Sequence, residues 1–333
     1  MVGWGIIGIG KHADTRMAPA FSRTSNSRLV AVCSRDRERA LAFAAKHGAA
    51  AGYDSFEQLL ENRDVEVVYV ATPHNLHRQY VLQAAEAGKH VLCEKPMALT
   101  VAEAEEMVEA CHRAGVVLGV CFQNRFHPAH QEARRLVAAG QVGDVRLARA
   151  QYSRDRPGLQ GWRADPKMGG AGSLMGLGLH ALDLVRYVTG EEYVEVSAMM
   201  DTDPSSGTLD NEVAMLLRLS GGGFAFVNNS RKLPWANNDL IVNGSRARVM
   251  TADTVGTYLQ GKLQVESAGI SSRTEFSDAD AATGLYARMI ESFSQAVTEG
   301  RQPLATGEDG LAIARLVDAI LRSVREGVAI RLR

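Results

Sequence analysis

The first third of the chain alternates between two hydrophobic periods. Short, nearly continuous apolar runs, VGWGII from Val2, RLVAVC from Arg28, VEVVYVA from Val65, HVLC from His90 and VVLGVCF from Val116, have the length of buried strands. Between them the apolar residues fall at helical spacing, in a first helix through Phe21, in DRERALAFAAKHG, in HRQYVLQAAEAG and over residues 101–114. Glycines at 48, 88 and 115 stand where helices are capped at their C-termini. Thr100 followed by Glu103 predicts a capping box that opens a helix. Strands alternating with helices predict a doubly wound parallel sheet covered on both faces.

After about Phe126 the texture changes. A helix from His130 to Ala139 leads to VRLARAQYS, a glycine-rich loop and a helix near 173–188. NEVAMLLRLSGGGFAFVNNS then reads as two alternating strands joined by a hairpin. Helical stretches at 286–298 and 307–326 close the chain, the second opened by Thr306 with Asp309. The pattern predicts an α/β protein with a Rossmann domain over residues 1–121 and a second, largely antiparallel domain over 122–333.

Composition narrows the partners. Of 333 residues 46% are hydrophobic and 23% charged, and 37 basic against 38 acidic residues leave a net charge of -1. Such a balance offers no broad attraction to nucleic acid or anionic membrane, so small molecules and further copies of the chain are the expected partners. Cys33, Cys93, Cys111 and Cys121 show no C-x-x-C spacing and are expected to be buried, reduced thiols. The opening MVGWGIIGIG lacks a basic leader and is too short to span a bilayer, which suits the first strand of a cytoplasmic protein.

GIGKHA places Gly8, Gly10 and Ala13 directly after the first strand, in the G-x-G-x-x-[GA] spacing of a dinucleotide loop. Lys11 and His12 open the helix behind it. The second strand ends in Ser34 and Arg35, where an NAD-selective site would carry a carboxylate for the ribose hydroxyl. A hydroxyl donates to a 2'-phosphate and a guanidinium pairs with it, so NADP(H) is the preferred cofactor, with NAD(H) the alternative. The charge run Asp36, Arg37 and Arg39 also suits a solvated helix start. Thr72, Pro73, His74 and His77, after the VEVVYVA strand, are placed beside the same cofactor.

KHVLCEKPMALT puts Glu94 and Lys95 at a strand's carboxyl end, where ligands of open parallel sheets bind. A lysine there can hydrogen-bond the oxygen on the carbon that exchanges hydride and stabilise its developing charge. Pro96 fixes the backbone just after Lys95, and X-Pro is the one type of bond at which a cis peptide is plausible. In GLGLHALDLVRYVTG, His180 and Asp183 share a helix face, and His180 is the natural acid and base near neutral pH. His74, His77 and His180 lack the carboxylate or cysteine that would complete a recognisable metal spacing, so no metal is expected.

GIGKHA, ATPHNLH, AGKHVLCEKPMALT and GLGLHALDLVRYVTG together resemble the Gfo/Idh/MocA oxidoreductases, over essentially the whole chain. The resemblance implies a Rossmann domain followed by an α/β domain with a large, mostly antiparallel open sheet that commonly forms a homodimer or homotetramer interface. It matches Lys95 to the catalytic lysine and His180 to the histidine that works with it on a sugar oxygen. Where many members carry an aspartate four residues before that histidine, this chain has Gly176. LQGWR and ATGEDG are similar to segments of members that reduce a keto sugar with NADPH. Trp162 and Arg163 then either face the substrate or anchor a packed loop, and Arg125 in NRF falls at the junction of the domains. The expectation is an NADP(H)-dependent oxidoreductase of a carbohydrate-like substrate, with Lys95, Arg125, Trp162, Arg163, His180 and Asp183 at the substrate. Two rivals are a redox-neutral lyase or glycosidase that retains NAD, and a non-catalytic dinucleotide sensor.

Overall fold

The computed structural model describes residues 1–156, 158–278 and 281–332. Five of the apolar runs become strands of one parallel sheet: β1 (Val2–Ile7), β2 (Ser27–Cys33), β4 (Val67–Val70), β5 (His90–Cys93) and β6 (Leu118–Val120), with a short β3 (Ala51–Tyr53) beside β2. Their order is β3-β2-β1-β4-β5-β6. Both faces are covered by helices, which is why these strands read as unbroken apolar runs. The caps act as their spacing predicts: Thr100 Oγ1 accepts from Glu103 N at 3.2 Å while Glu103 Oε2 accepts from Thr100 N at 3.2 Å. Gly48 and Gly115 close their helices with φ of 73° and 66°.

The second sheet has nine strands: β7 (Val145–Ser153), β8 (Tyr193–Met200), β9 (Glu212–Leu219), β10 (Phe224–Ser230), β11 (Leu240–Gly244), β12 (Ala247–Ala252), β13 (Gln260–Ser267), β14 (Ile270–Ser277) and β15 (Ile330–Arg331). They lie in the order β14-β13-β12-β11-β7-β10-β9-β8-β15. Among the described residues only β7 and β10 of this sheet pair in parallel, in register from Leu147 with Phe224 to Ser153 with Ser230. One face packs on the helix Leu179–Thr189, a segment buried along nearly its whole length. The other face points Leu147, Met199, Leu216, Phe224 and Phe226 outward.

The chain divides into two compact units, Met1–Cys121 with Ala282–Ala314, and Phe122–Ala281 with Arg315–Arg333. The return of 282–314 to the first unit is absent from a reading of 122–333 as one domain. Its physical reason is aromatic: Trp4, fully buried on β1, sets its ring edge-on to Phe293 at 5.6 Å and donates from Nε1 to Ser294 Oγ at 2.9 Å. The helix carrying Phe293 spans Ala281–Glu299, five residues longer at its start than its periodicity predicts. All four cysteines are free and buried. Burial pushes the thiols of Cys33 and Cys111 up to about 12 and those of Cys93 and Cys121 well above the ordinary range. Among the described residues no helix is long and apolar enough to cross a membrane.

Candidate active site

Register puts the loops of the first unit in one row. Ile7 pairs with Cys33 and Val70, Val70 with Cys93, and Cys93 with Val120, so the residues that follow these strands leave the same end of the sheet. Gly8, Ser34, Ala71 and Glu94 therefore stand side by side at the strand order's switch point, the crevice where open α/β sheets bind ligands. Gly8 has φ +95°, and a Cβ there would fall 2.5 Å from the Ala71 carbonyl carbon, so only glycine fits. Gly10 has open space where its side chain would be. Thr72 is buried, and among the described residues its hydroxyl has no partner. A glycine loop with open space beside it and an orphaned donor next to it fit a dinucleotide phosphate.

Ser34 is half-buried and Arg35 exposed, both directly after β2. Ser34 Oγ accepts weakly from Asp36 N at 3.4 Å. Asp36 caps the helix Arg37–His47 by accepting from Arg39 N, while Arg39 Nη2 reaches the Ile9 carbonyl between the two glycines at 3.5 Å. Lys11 is exposed at the start of the following helix, and Pro73 and His74 are half-buried where their loop turns into a helix.

Glu94 is a half-buried node. Tyr69, itself fully buried, donates to Glu94 Oε1 at 2.6 Å, Lys95 N donates to Oε2 at 3.2 Å, and His12 Nε2 lies 3.2 Å from Oε1. Burial works to raise the Glu94 carboxyl, but His12, the Tyr69 hydroxyl and Lys95 outweigh it and hold the carboxyl well below the usual range. Burial and the Glu94 charge push the Tyr69 phenol well above its ordinary value, so it stays a donor. Lys95 thus projects from a loop whose carboxylate is fixed from three sides. The Lys95-Pro96 peptide is cis.

His77 is fully buried, with Nδ1 2.9 Å from the Pro96 carbonyl and Nε2 3.0 Å from that of Thr72. Both nitrogens face backbone carbonyls, so His77 sits between the Thr72 and Pro96 loops and ties them together. Burial pushes its pKa down against the pull of those two carbonyls.

In the second unit His180 sits on the first turn of the helix Leu179–Thr189, after a π-helical turn over Leu174–Gly178. The Tyr152 ring packs edge-on to His180 at 5.5 Å. Arg125 and Asp183 are 3% and 1% exposed and bind one another, with Arg125 Nε donating to both Asp183 oxygens at 3.1 and 3.0 Å and Nη2 to Oδ1 at 2.5 Å. The guanidinium lies over the Tyr187 ring at 5.2 Å. A buried, bidentate pair of this kind braces the turn that carries His180. Trp162 is half-buried, with the exposed Arg163 guanidinium 4.2 Å above its ring.

The remaining histidines have clear partners: His47 with Asp14, His112 with Glu308, His90 accepting from Val117 N, His127 accepting from Ala129 N, and His130 between the Asn124 carbonyl and the Thr254 hydroxyl. The partners of His47, His90 and His112 and the Thr254 hydroxyl are distant in sequence, so no local spacing signals them. Among the described residues no three His, Cys, Asp or Glu side chains group closely enough to hold a metal ion.

Comparison with known proteins agrees with this geometry. Residues 2–122 match the model of the oxidoreductase family with an NAD-binding Rossmann fold, and residues 130–250 match the GFO/IDH/MocA C-terminal domain. The chain is 30% identical over 328 residues to 1,5-anhydro-D-fructose reductase of Ensifer adhaerens, covering 98% of this chain and 97% of that one. It is 30% identical over 331 residues to D-xylose 1-dehydrogenase (NADP(+)) 2 of Haloferax volcanii, covering 99% of each. The crystal structure of aldose-aldose oxidoreductase from Caulobacter crescentus, complexed with glycerol, superposes with a TM-score of 0.90 at 32% identity and covers 99% of both chains. With a glycine loop at the switch point, a lysine on the neighbouring strand end and relatives matched along their full length, the chain belongs to the Gfo/Idh/MocA family of NAD(P)-dependent oxidoreductases.

Proposed function

We propose that the protein is an NADP(H)-dependent oxidoreductase of a sugar, keto-sugar or polyol-like substrate, working chiefly as a ketone reductase. The observation that carries this reading is the row of strand ends on which Gly8, the orphaned Thr72 hydroxyl and the Lys95 loop stand together. Gly8, Gly10, Lys11, His12, Thr72, Pro73 and His74 would hold the dinucleotide, and Ser34 with Arg35 its adenosine ribose. A bound nicotinamide supplies or accepts hydride. Lys95 hydrogen-bonds the substrate oxygen and stabilises the negative charge that grows on it, while His180 moves the proton. Glu94 serves as the fixed anion against which Lys95 keeps its charge and direction.

Preference for NADP(H) rests on Ser34 and Arg35, because a carboxylate at their position would repel a 2'-phosphate and a guanidinium pairs with it. The outward apolar side chains of the nine-stranded sheet support a homodimer or homotetramer assembled through that face.

The test is absorbance of the reduced nicotinamide, with NADPH and NADH run in parallel over keto sugars, osones, inososes and simple diketones. Loss of absorbance with NADPH and one substrate class is the expected result. No loss with any substrate, from protein that carries bound dinucleotide, replaces the reading with a redox-neutral lyase or glycosidase.

A further inference from the structure

Beyond the ends of β7 and β10 the two chains remain joined, Arg154 N donating to Ser230 O and Arg156 N to Arg231 O, both at 2.9 Å. Arg154, Arg156 and Arg231 are thereby gathered at one corner of the second unit. Arg154 lies over the Tyr152 ring at 5.1 Å, and that ring packs on His180. Arg231 reaches the π-helical turn that precedes His180, where a Cβ built on Gly176 would stand 4.0 Å from its Nη1. Glycine at 176 leaves that space without a side chain.

Little in the protein balances these charges. Among the described residues, Arg154, Arg156 and Arg231 form no ion pair with a carboxylate: Arg154 donates to the Thr257 hydroxyl at 3.2 Å and Arg231 Nη2 to the Gly158 carbonyl at 3.3 Å. Asp210, the buried acid nearby, is spent on Gly172 N, Ser173 Oγ and Leu174 N at 2.6, 2.6 and 2.8 Å. Asp165 caps its own short helix through Lys167 N. Arg231 Nε is buried and donates to nothing among the described residues. Burial, then the charges of Arg156 and Arg163, push the Arg231 pKa down against the opposing Asp210. A half-buried guanidinium with an unused donor among like charges is the arrangement an oxyanion relieves, because carboxylate and phosphate match the guanidinium fork.

We propose that Arg231, with Arg156 and Arg154, seats an oxyanion carried by the substrate beside Gly176, so that the preferred substrate is an acidic sugar bearing a carboxylate or a phosphate. This rests on the sugar-oxidoreductase reading and names the substrate class of that site.

Calorimetric titration of the NADP-loaded protein with D-glucuronate, D-glucose 6-phosphate and D-glucose tests it without turnover. At least one acid is expected to bind about tenfold or more tightly than glucose, and which acid does so separates carboxylate from phosphate. The advantage disappears in Arg231→Met and weakens in Arg156→Gln, an exposed position where folding is not at issue. Gly176→Asp also removes it, by supplying an internal carboxylate to Arg231, and NADP binding is unchanged in all three. Glucose binding as tightly as both acids, or an acid preference that survives Arg231→Met and Gly176→Asp, overturns the inference. Turnover of neutral keto sugars with no gain for acids overturns the inference and leaves the oxidoreductase reading standing. Arg231-dependent acid binding without any change in nicotinamide absorbance does the reverse.

Discussion

Lys95 and Glu94 are neighbours in sequence with different duties. If Lys95 is the group that stabilises charge on the substrate oxygen, Lys95→Ala lowers kcat by about 10²–10⁴ or more while dinucleotide affinity is retained. Unchanged turnover in that variant would sink the catalytic assignment. Glu94 acts on stability as well. Its folded pKa lies below the unfolded value, so the ionised carboxylate stabilises the fold above the ordinary range near 4.3, and this contribution drains away as pH falls below it. Glu94→Gln, which leaves Tyr69 and His12 facing a neutral amide, is expected to cost about 1–3 kcal/mol at pH 7. Thermal melts of the two proteins should converge toward pH 3, and a constant gap from pH 7 to pH 3 would show that the charge is not what stabilises. Lys95 was legible in the sequence because strand, EKP and capping box are contiguous. The His12 contact with Glu94 was not, because sheet register alone brings β1 and β5 to the same edge by way of β4.

The same distinction holds for whole elements. Helix ends set by nearby side chains, Thr100 with Glu103 and Thr306 with Asp309, stand where the sequence predicts, with Thr306 N donating to Asp309 Oδ2 at 2.9 Å and Asp309 N to Thr306 Oγ1 at 3.1 Å. Thr306→Ala is expected to cost about 1 kcal/mol, read as a lower melting temperature, while Thr306→Ser keeps most of the stability. The π-helical turns at Ala13–Met17 and Leu174–Gly178 have no comparable local signal. The second is shaped by tertiary contacts: a Cβ on Gly178 would fall 2.5 Å from Asn229 Oδ1, and one on Gly172 would fall 2.1 Å from the Asp210 carbonyl. Buried histidines that join elements add a pH dependence. Burial holds His130 well below its ordinary pKa, so it is neutral in the fold, and its stabilisation is complete above the unfolded value near 6.5 and lost as pH falls through and below it. His130→Asn should flatten the decline of melting temperature between pH 6.5 and 5, and a slope equal to that of the parent protein would exclude His130 as its source.

At the scale of the molecule the sequence gives the sheet its two faces but not their fates. Alternation along β9 and β10 sends Val213, Met215, Leu217, Ala225 and Val227 inward, where helices cover them, and sends Leu216, Phe224 and Phe226 outward. Leu147 is paired with Phe224, and Leu216 with Phe226, so the outward residues form one contiguous apolar patch instead of scattered exposures. Met199, 79% exposed on β8, extends it. A monomer would hold this surface in water at a cost of about 25 cal/mol per Å², which is the driving force for the proposed assembly of copies through this face. Charge placed in the patch has to be desolvated on assembly without a partner. Leu216→Glu with Phe226→Glu should therefore convert the assembly to monomers in sedimentation velocity. Because these side chains point away from the packed core, the far-ultraviolet circular dichroism of the double variant should match that of the parent. Sedimentation of the parent protein as a monomer at high micromolar concentration would defeat the assignment of this face as an interface, and an unaltered assembly in the double variant would move the interface to another surface.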